Sequence, residues 1–222
     1  MHQSIINFNN IQNSIKVNQE KTNNKNNVKI IAVSKTFEIS HINPLVEHGH
    51  TEFGENKVQE AIEKWTDIKT KNKNLSLHLV GKLQSNKTKL ALKIFDYIHS
   101  LDNEKLANKI SEEQKKIKKK PKLFIQVNIG NEGQKSGIDP NNLKAFYKYC
   151  VDKDLDVIGI MCIPPISDDS EKYFMRMNFL NKDLGLKELS MGMSADYIPA
   201  IQNNATFIRV GSKIFGERKK KI

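Results

Sequence analysis

Eight short apolar runs recur along the chain with helix-compatible segments between them, and this alternation constrains the fold more than any other feature. The runs cover residues 28–33, 50–53, 75–80, 97–100, 123–129, 157–160, 188–191 and 206–210. The first, rich in β-branched residues and lacking a polar face, reads as a strand buried on both sides. Between the runs, residues 56–68 place Val58, Ala61, Ile62 and Trp65 on one helical face. Asp102 or Asn103 can cap a helix carrying Leu106, Ala107 and Ile110, and Asp139-Pro140 can open one carrying Leu143, Phe146, Tyr147 and Cys150. Residues 170–184 carry Tyr173, Phe174, Met177 and Leu180 in the same manner. Strict alternation implies a parallel sheet, and eight repeats favour a single (β/α)8 TIM-like barrel, with a doubly wound open sheet as the alternative. Ahead of the barrel, Ile5, Phe8, Ile11 and Ile15 form a helix-compatible stripe, followed by a loop-like stretch over 23–27. The expected organisation is one domain: an N-terminal helix and loop over 1–27, a barrel over 28–216 and a basic tail over 217–222.

Composition narrows the function classes. A chain of 222 residues with 38% hydrophobic content can bury one sizeable core. No apolar stretch reaches membrane-span length, and the N-terminus lacks the basic-then-apolar layout of a signal peptide. The only cysteines, Cys150 and Cys162, suggest neither a disulfide framework nor a metal site. A cytoplasmic protein with no membrane partner is expected. The net charge of +11 is concentrated in Lys115, Lys116, Lys118, Lys119, Lys120 and Lys122, and in Arg218, Lys219, Lys220 and Lys221. Neither cluster is interleaved with aromatic residues that stack on bases, so solvated charge is expected rather than a specific nucleic-acid site.

In a barrel of this kind, functional groups lie just past the carboxyl ends of the strands. Lys35 stands there, closing the run Ile30-Ile31-Ala32-Val33-Ser34. A partly desolvated lysine loses basicity and becomes a nucleophile able to form Schiff bases with carbonyls, although a lysine can also simply snorkel out at a strand end. After the second run, Phe53-Gly54-Glu55-Asn56 reads as a glycine turn with Glu55 in the first turn of a helix. Ser190-Met191-Gly192-Met193-Ser194 and Arg209-Val210-Gly211-Ser212 follow the last two runs, where small residues let backbone amides close on a phosphate. Arg209 lies among Phe207, Ile208 and Val210 and needs an acceptor: either a carboxylate or the ring nitrogen of a bound pyridine. Arginine keeps its proton, so such a ring nitrogen would stay unprotonated and the ring would be a poor electron sink. Lys82 and Lys87 add cations near the same rim. His78 and His99 read as hydrogen-bonded core residues, and Cys162 has no base beside it in sequence.

As a set, these segments resemble the pyridoxal phosphate homeostasis proteins. The matching pieces are Ala32-Val33-Ser34-Lys35-Thr36, Phe53-Gly54-Glu55-Asn56 with Val58-Gln59-Glu60, and His78 with Gly81 and residues 83–87. Gln126-Val127-Asn128-Ile129, Lys135-Ser136-Gly137, residues 189–194, Arg209-Val210-Gly211 and Ile214-Phe215-Gly216 complete it. Leu77, Lys82 and Asn103 stand where the family often has tryptophan, histidine and arginine. The resemblance implies a barrel similar to the N-terminal domain of alanine racemase, with pyridoxal 5′-phosphate (PLP) held as a Schiff base on Lys35. It further implies Asn56 near the cofactor, Arg209 at the pyridine nitrogen, and Ser190, Gly192, Gly211 and Ser212 around the phosphate, with no metal.

Racemases of this fold take a second base from a further domain of the partner subunit, and the chain stops at Ile222, just past the barrel. The expected role is therefore a PLP carrier in vitamin B6 and amino-acid homeostasis, with no catalytic residues, monomeric, whose partners are PLP and PLP-dependent apo-enzymes. The alternative is a small PLP-dependent amino-acid racemase-like enzyme.

Overall fold

The computed structural model describes residues 1–22, 24–165 and 169–217. The tail cations from Arg218 to Lys221 and Asn23 lie outside the described residues. Eight parallel strands close on themselves in sequence order, each pairing with the next and β8 returning to β1. The strands are β1 (Lys29–Val33), β2 (Glu52–Glu55), β3 (Ser76–Leu79), β4 (Tyr97–Leu101), β5 (Lys122–Val127), β6 (Val157–Cys162), β7 (Glu188–Met193) and β8 (Phe207–Val210). The barrel is closed, so the open-sheet alternative is excluded. Around it lie α1 (Gln3–Thr22), α2 (Ile39–Glu47), α3 (Val58–Lys71), α4 (Thr88–Ile94), α5 (Glu104–Ile117), α6 (Leu143–Asp152), α7 (Ser170–Asp183), α8 (Tyr197–Gln202) and α9 (Ser212–Phe215).

The period-two alternation of a strand sorts side chains between two cores. Outward-facing Ile30, Ala32, Phe53, Leu77, Leu79, Ile98, Leu123, Ile125, Ile160, Leu189 and Ile208 meet the helices in one continuous apolar layer. Their inward-facing neighbours Ile31, Val33, Tyr97, Phe124, Met161 and Phe207 form a separate cluster inside the barrel. Helix starts follow local chemistry. The Asn103 side chain accepts from Leu106 N–H at 2.9 Å and caps α5. Asp139 accepts from Asn141 N–H at 2.7 Å, opening the 3-10 turn Pro140–Asn142 that leads into α6. The short helices α2, α4 and α8 have little sequence signature, and α2 even contains Pro44.

Two strands extend beyond their apolar runs. β2 continues through Gly54 and Glu55, because Gly54 pairs with His78 of β3 and Glu55 with Leu79. Glu55 is therefore not in the first turn of a helix but buried within a strand. β7 continues to Met193, so Gly192 belongs to the strand rather than to the loop after it. Gly192 has φ +87°, and a Cβ there would stand 2.6 Å from the Ala200 Cβ of α8. Only glycine lets the strand end turn this close beneath α8.

Helix α1 packs along the barrel wall through Phe8, Ile11 and Ile15, and its Asn7 Nδ2 donates to the Ile214 carbonyl of α9 at 3.0 Å. The His50 ring lies between Phe8 (4.5 Å between centroids) and Phe53 (5.0 Å), and its Nε2 hydrogen-bonds to the Glu52 carbonyl at 2.8 Å. Burial pulls its pKa down from 6.5 to about 4, outweighing the hydrogen bond to Glu52. Between these values the unfolded chain takes up a proton that the native ring refuses. Stability is therefore full above pH 6.5 and falls as the pH drops toward 4, by about 3 kcal/mol. Urea midpoints measured from pH 7.5 to pH 4 should decline accordingly, and His50→Phe should flatten that decline.

Candidate functional site

Lys35 lies in the turn after β1, half-buried, at the carboxyl face of the barrel. Its turn is pinned from below by one ammonium. Lys64 of α3 donates to the carbonyls of Ser34 (2.9 Å) and Phe37 (3.2 Å), which bracket Lys35 and Thr36. The same Nζ contacts Glu55 Oε1 at 2.7 Å and Glu60 Oε1 at 2.9 Å. Glu60 also accepts from Thr36 N–H at 2.7 Å, holding a threonine whose φ of 69° is left-handed. Glu55 is fully buried and takes further hydrogen bonds from Ser34 Oγ (2.8 Å) and Trp65 Nε1 (3.0 Å). Burial nevertheless raises its pKa, over the opposing pull of Lys64, Trp65 and Ser34. The carboxylates after the second apolar run thus belong to the scaffold that holds the Lys35 turn.

The residues assigned to cofactor binding lie on or just past four adjacent strands, β7, β8, β1 and β2, of the closed barrel. Ile31 of β1 pairs in register with Arg209 of β8, and Val33 pairs with Gly54 of β2. Asn56, half-buried, follows β2, and a Cβ on Gly81 would fall 2.4 Å from its carbonyl oxygen, so the loop after β3 closes tightly against it. Gly211 lies against Val33, where a Cβ would stand 3.1 Å from the Val33 carbonyl oxygen. Exposed Ser212 opens α9, and the loops after β7 and β8 are tied by Lys213 N–H donating to Ser194 Oγ at 3.4 Å.

Arg209 is 5% exposed and has no carboxylate ion pair among the described residues. Nη1 donates to Ser190 Oγ and Nη2 to the Cys162 carbonyl, both at 2.8 Å. Burial works against its charge. Ser190 is fully buried, and its Oγ also meets His99 Nδ1 at 2.9 Å. The hydroxyl thus bridges Arg209 and His99 inside the barrel. His99 and His78 are hydrogen-bonded core residues, as their strand positions suggest, with 3.0 Å between His99 Nε2 and His78 Nδ1. His78 stacks on Tyr97 (4.2 Å) and His99 on Phe124 (4.3 Å). Burial lowers both pKa values, that of His99 strongly, so both rings are neutral at physiological pH.

Cys162 is buried, and its thiol is pushed up to about 12 by burial, which excludes a thiolate nucleophile at neutral pH. Among the described residues no His/Cys/Asp/Glu cluster could hold a metal ion, and no helix is long and apolar enough to cross a membrane. Within the lysine-rich stretch, Lys116, Lys119 and Lys120 pair with Glu113, Asp96 and Asp154, so part of that charge is matched locally. Glu52 and Lys64 were not apparent as site-supporting residues, because only the in–out phase of β2 and the placement of α3 aim them inward. The period of β2, counted back from Gly54, is the one signal that places Glu52 inside the barrel.

A family model described as the alanine racemase N-terminal domain matches residues 6–219. A pyridoxal phosphate homeostasis protein of Pasteurella multocida is 39% identical over 220 residues, which cover 94% of this chain and 93% of that protein. The solved structure of PipY of Synechococcus elongatus PCC7942 with PLP bound superimposes with a TM-score of 0.79 at 34% identity, covering 91% of this chain and all of that one. An alanine racemase of Clostridium difficile 630 matches with a TM-score of 0.68 at 16% identity, over 57% of its length, and shares the fold.

The clamp beneath Lys35 has a measurable energetic signature. Lys64→Met leaves the Glu55 carboxyl buried without its cation and should lower stability by about 3–5 kcal/mol in urea denaturation. Adding Glu55→Gln should recover part of that loss, giving a coupling energy of the same sign in a double-mutant cycle.

Proposed function

Because the chain belongs to the alanine racemase N-terminal domain family, and within it to the pyridoxal phosphate homeostasis proteins, we propose that it binds PLP on Lys35 and serves PLP homeostasis. The residues present fit that group. Arg209 presents a buried guanidinium with five N–H donors, of which a hydroxyl and a backbone carbonyl engage two groups, Nη1 and Nη2. A neutral ring nitrogen can accept from the remainder, whereas a carboxylate partner would have closed the site. Gly192 and Gly211 sit where any Cβ would collide with Ala200 or crowd Val33, so the ends of β7 and β8 run close to their neighbours beside the Lys35 turn. The observation that carries the reading is the register of Arg209 beside the strand that ends in Lys35.

Bound PLP supplies an aldehyde that condenses with amines and a pyridine ring that draws electron density best when its nitrogen is protonated. The chain works against the second property. Arg209 donates and does not give up its proton, so it holds a ring nitrogen in the unprotonated form. Lys35 engages the aldehyde, Asn56 lies at the rim, and the ends of β7 and β8, through Gly192, Gly211 and Ser212, receive the phosphate. Ser190 contributes by orienting Arg209. Such a site holds and shields a reactive aldehyde without promoting turnover. The reading assigns the protein to the cytoplasm, in vitamin B6 and amino-acid balance, as a monomer delivering PLP to apo-enzymes.

The test is the absorption spectrum of the protein with PLP, before and after borohydride, followed by peptide mapping. An imine band and a pyridoxyl group trapped on Lys35, both lost in Lys35→Ala, are expected. Label spread over surface lysines overturns the assignment. In the same preparation, amino acids in deuterium oxide should show no sustained exchange of the α-proton. Exchange abolished by Lys35→Ala would instead establish a racemase-like enzyme.

A further inference from the structure

A file of polar side chains crosses the apolar interior of the barrel from one mouth toward the other. Glu52 begins β2, at the amino-terminal mouth beside α1, and its Oε2 lies 2.7 Å from His78 Nε2. His78 Nδ1 lies 3.0 Å from His99 Nε2, His99 Nδ1 lies 2.9 Å from Ser190 Oγ, and Arg209 Nη1 donates to that oxygen at 2.8 Å. We propose that Glu52 is a positioning residue for Arg209, fixing from the far mouth the direction of every hydrogen bond in this file.

The argument is one of donor and acceptor counting. An ionised Glu52 can only accept, and Arg209 can only donate. His78 must therefore carry its hydrogen on Nε2 and present a bare Nδ1. His99 must then donate from Nε2 and accept at Nδ1. Ser190 gives its hydrogen to His99, which turns its oxygen lone pairs toward Arg209. Each neutral imidazole has one donor and one acceptor, so the file is fully satisfied in this direction. Burial by itself would raise the Glu52 pKa, but the hydrogen bond from His78 and the charge of Lys29 leave it lowered and the carboxylate ionised. The flanking rings of Tyr97, Phe124 and Phe207 exclude water that could supply an alternative partner.

Glu52→Gln keeps the shape and removes the polarity. The amide can donate to His78 Nε2, which allows the hydrogens to move to Nδ1 of both rings. Ser190 would then receive hydrogens from both His99 and Arg209, and its own hydrogen would have no acceptor in the file. The guanidinium would lose its fixed seat. The link to ligand binding rests on the PLP reading above, but the direction of the file does not.

The experiment is a long-range 1H–15N correlation spectrum of histidine-labelled protein without added PLP, paired with PLP titrations of the same samples. In the native chain, His78 and His99 should both be Nε2–H tautomers. In Glu52→Gln, Nδ1–H forms should appear at both, and PLP affinity should fall roughly tenfold. An Nδ1–H tautomer at either ring in the native chain overturns the proposal, and this reading stands even where the variant does not fold. Unchanged tautomers in the variant overturn it too, as does a tautomer shift with undiminished affinity. Failure of the native chain to bind PLP overturns the PLP reading, and the tautomers alone then decide the direction-setting role.

Discussion

A closed barrel offers a buried polar group few partners, and that constraint organises this molecule. Every strand is buried on both faces, so a side chain points either into the helical layer or into a narrow interior sealed by aromatic rings. Polar side chains admitted to that interior are satisfied by one another and, for Arg209, by the Cys162 carbonyl. The buried histidines, the Ser190 hydroxyl and Arg209 therefore form one connected file rather than separate features. The same constraint applies beneath α3, where Glu55 is tolerated because Lys64, Trp65 and Ser34 surround it.

Much of the fold was legible in the sequence because strict alternation implies a parallel sheet and eight repeats favour its closure over an open sheet. Eight runs at eight positions became eight strands, and Asn103 and Asp139 act as the caps their positions suggest. The strand ends were less legible. Gly54 and Gly192 look like turn residues, yet each sits in a strand: Gly54 because Ile31 crowds the interior, Gly192 because Ala200 crowds the strand end. Misplacing those ends turned Glu55 into a helix-start residue and Gly192 into a loop residue. In both cases local composition suggested a turn while tertiary pairing extended the ladder.

The positions of Lys35 and Arg209 at strand ends were readable without coordinates, since a lone cation in an apolar run has few explanations. Their supports were not. Lys64 lies on α3, nearly thirty residues from the turn it holds, and Glu52 sits in a short run whose phase decides whether it faces inward. Residues that act through another residue leave only this faint trace, because their chemistry becomes specific once the chain has folded.

The Lys64 clamp has a further consequence for how the barrel meets a ligand. A turn whose carbonyls and amide are already bonded to α3 has lost most of its conformational freedom before anything arrives. Association there requires little ordering of the backbone, so little of the intrinsic affinity is consumed by entropy. Capture is then governed by diffusion and desolvation rather than by folding around the guest. Departure of a ligand then needs no unravelling of that loop.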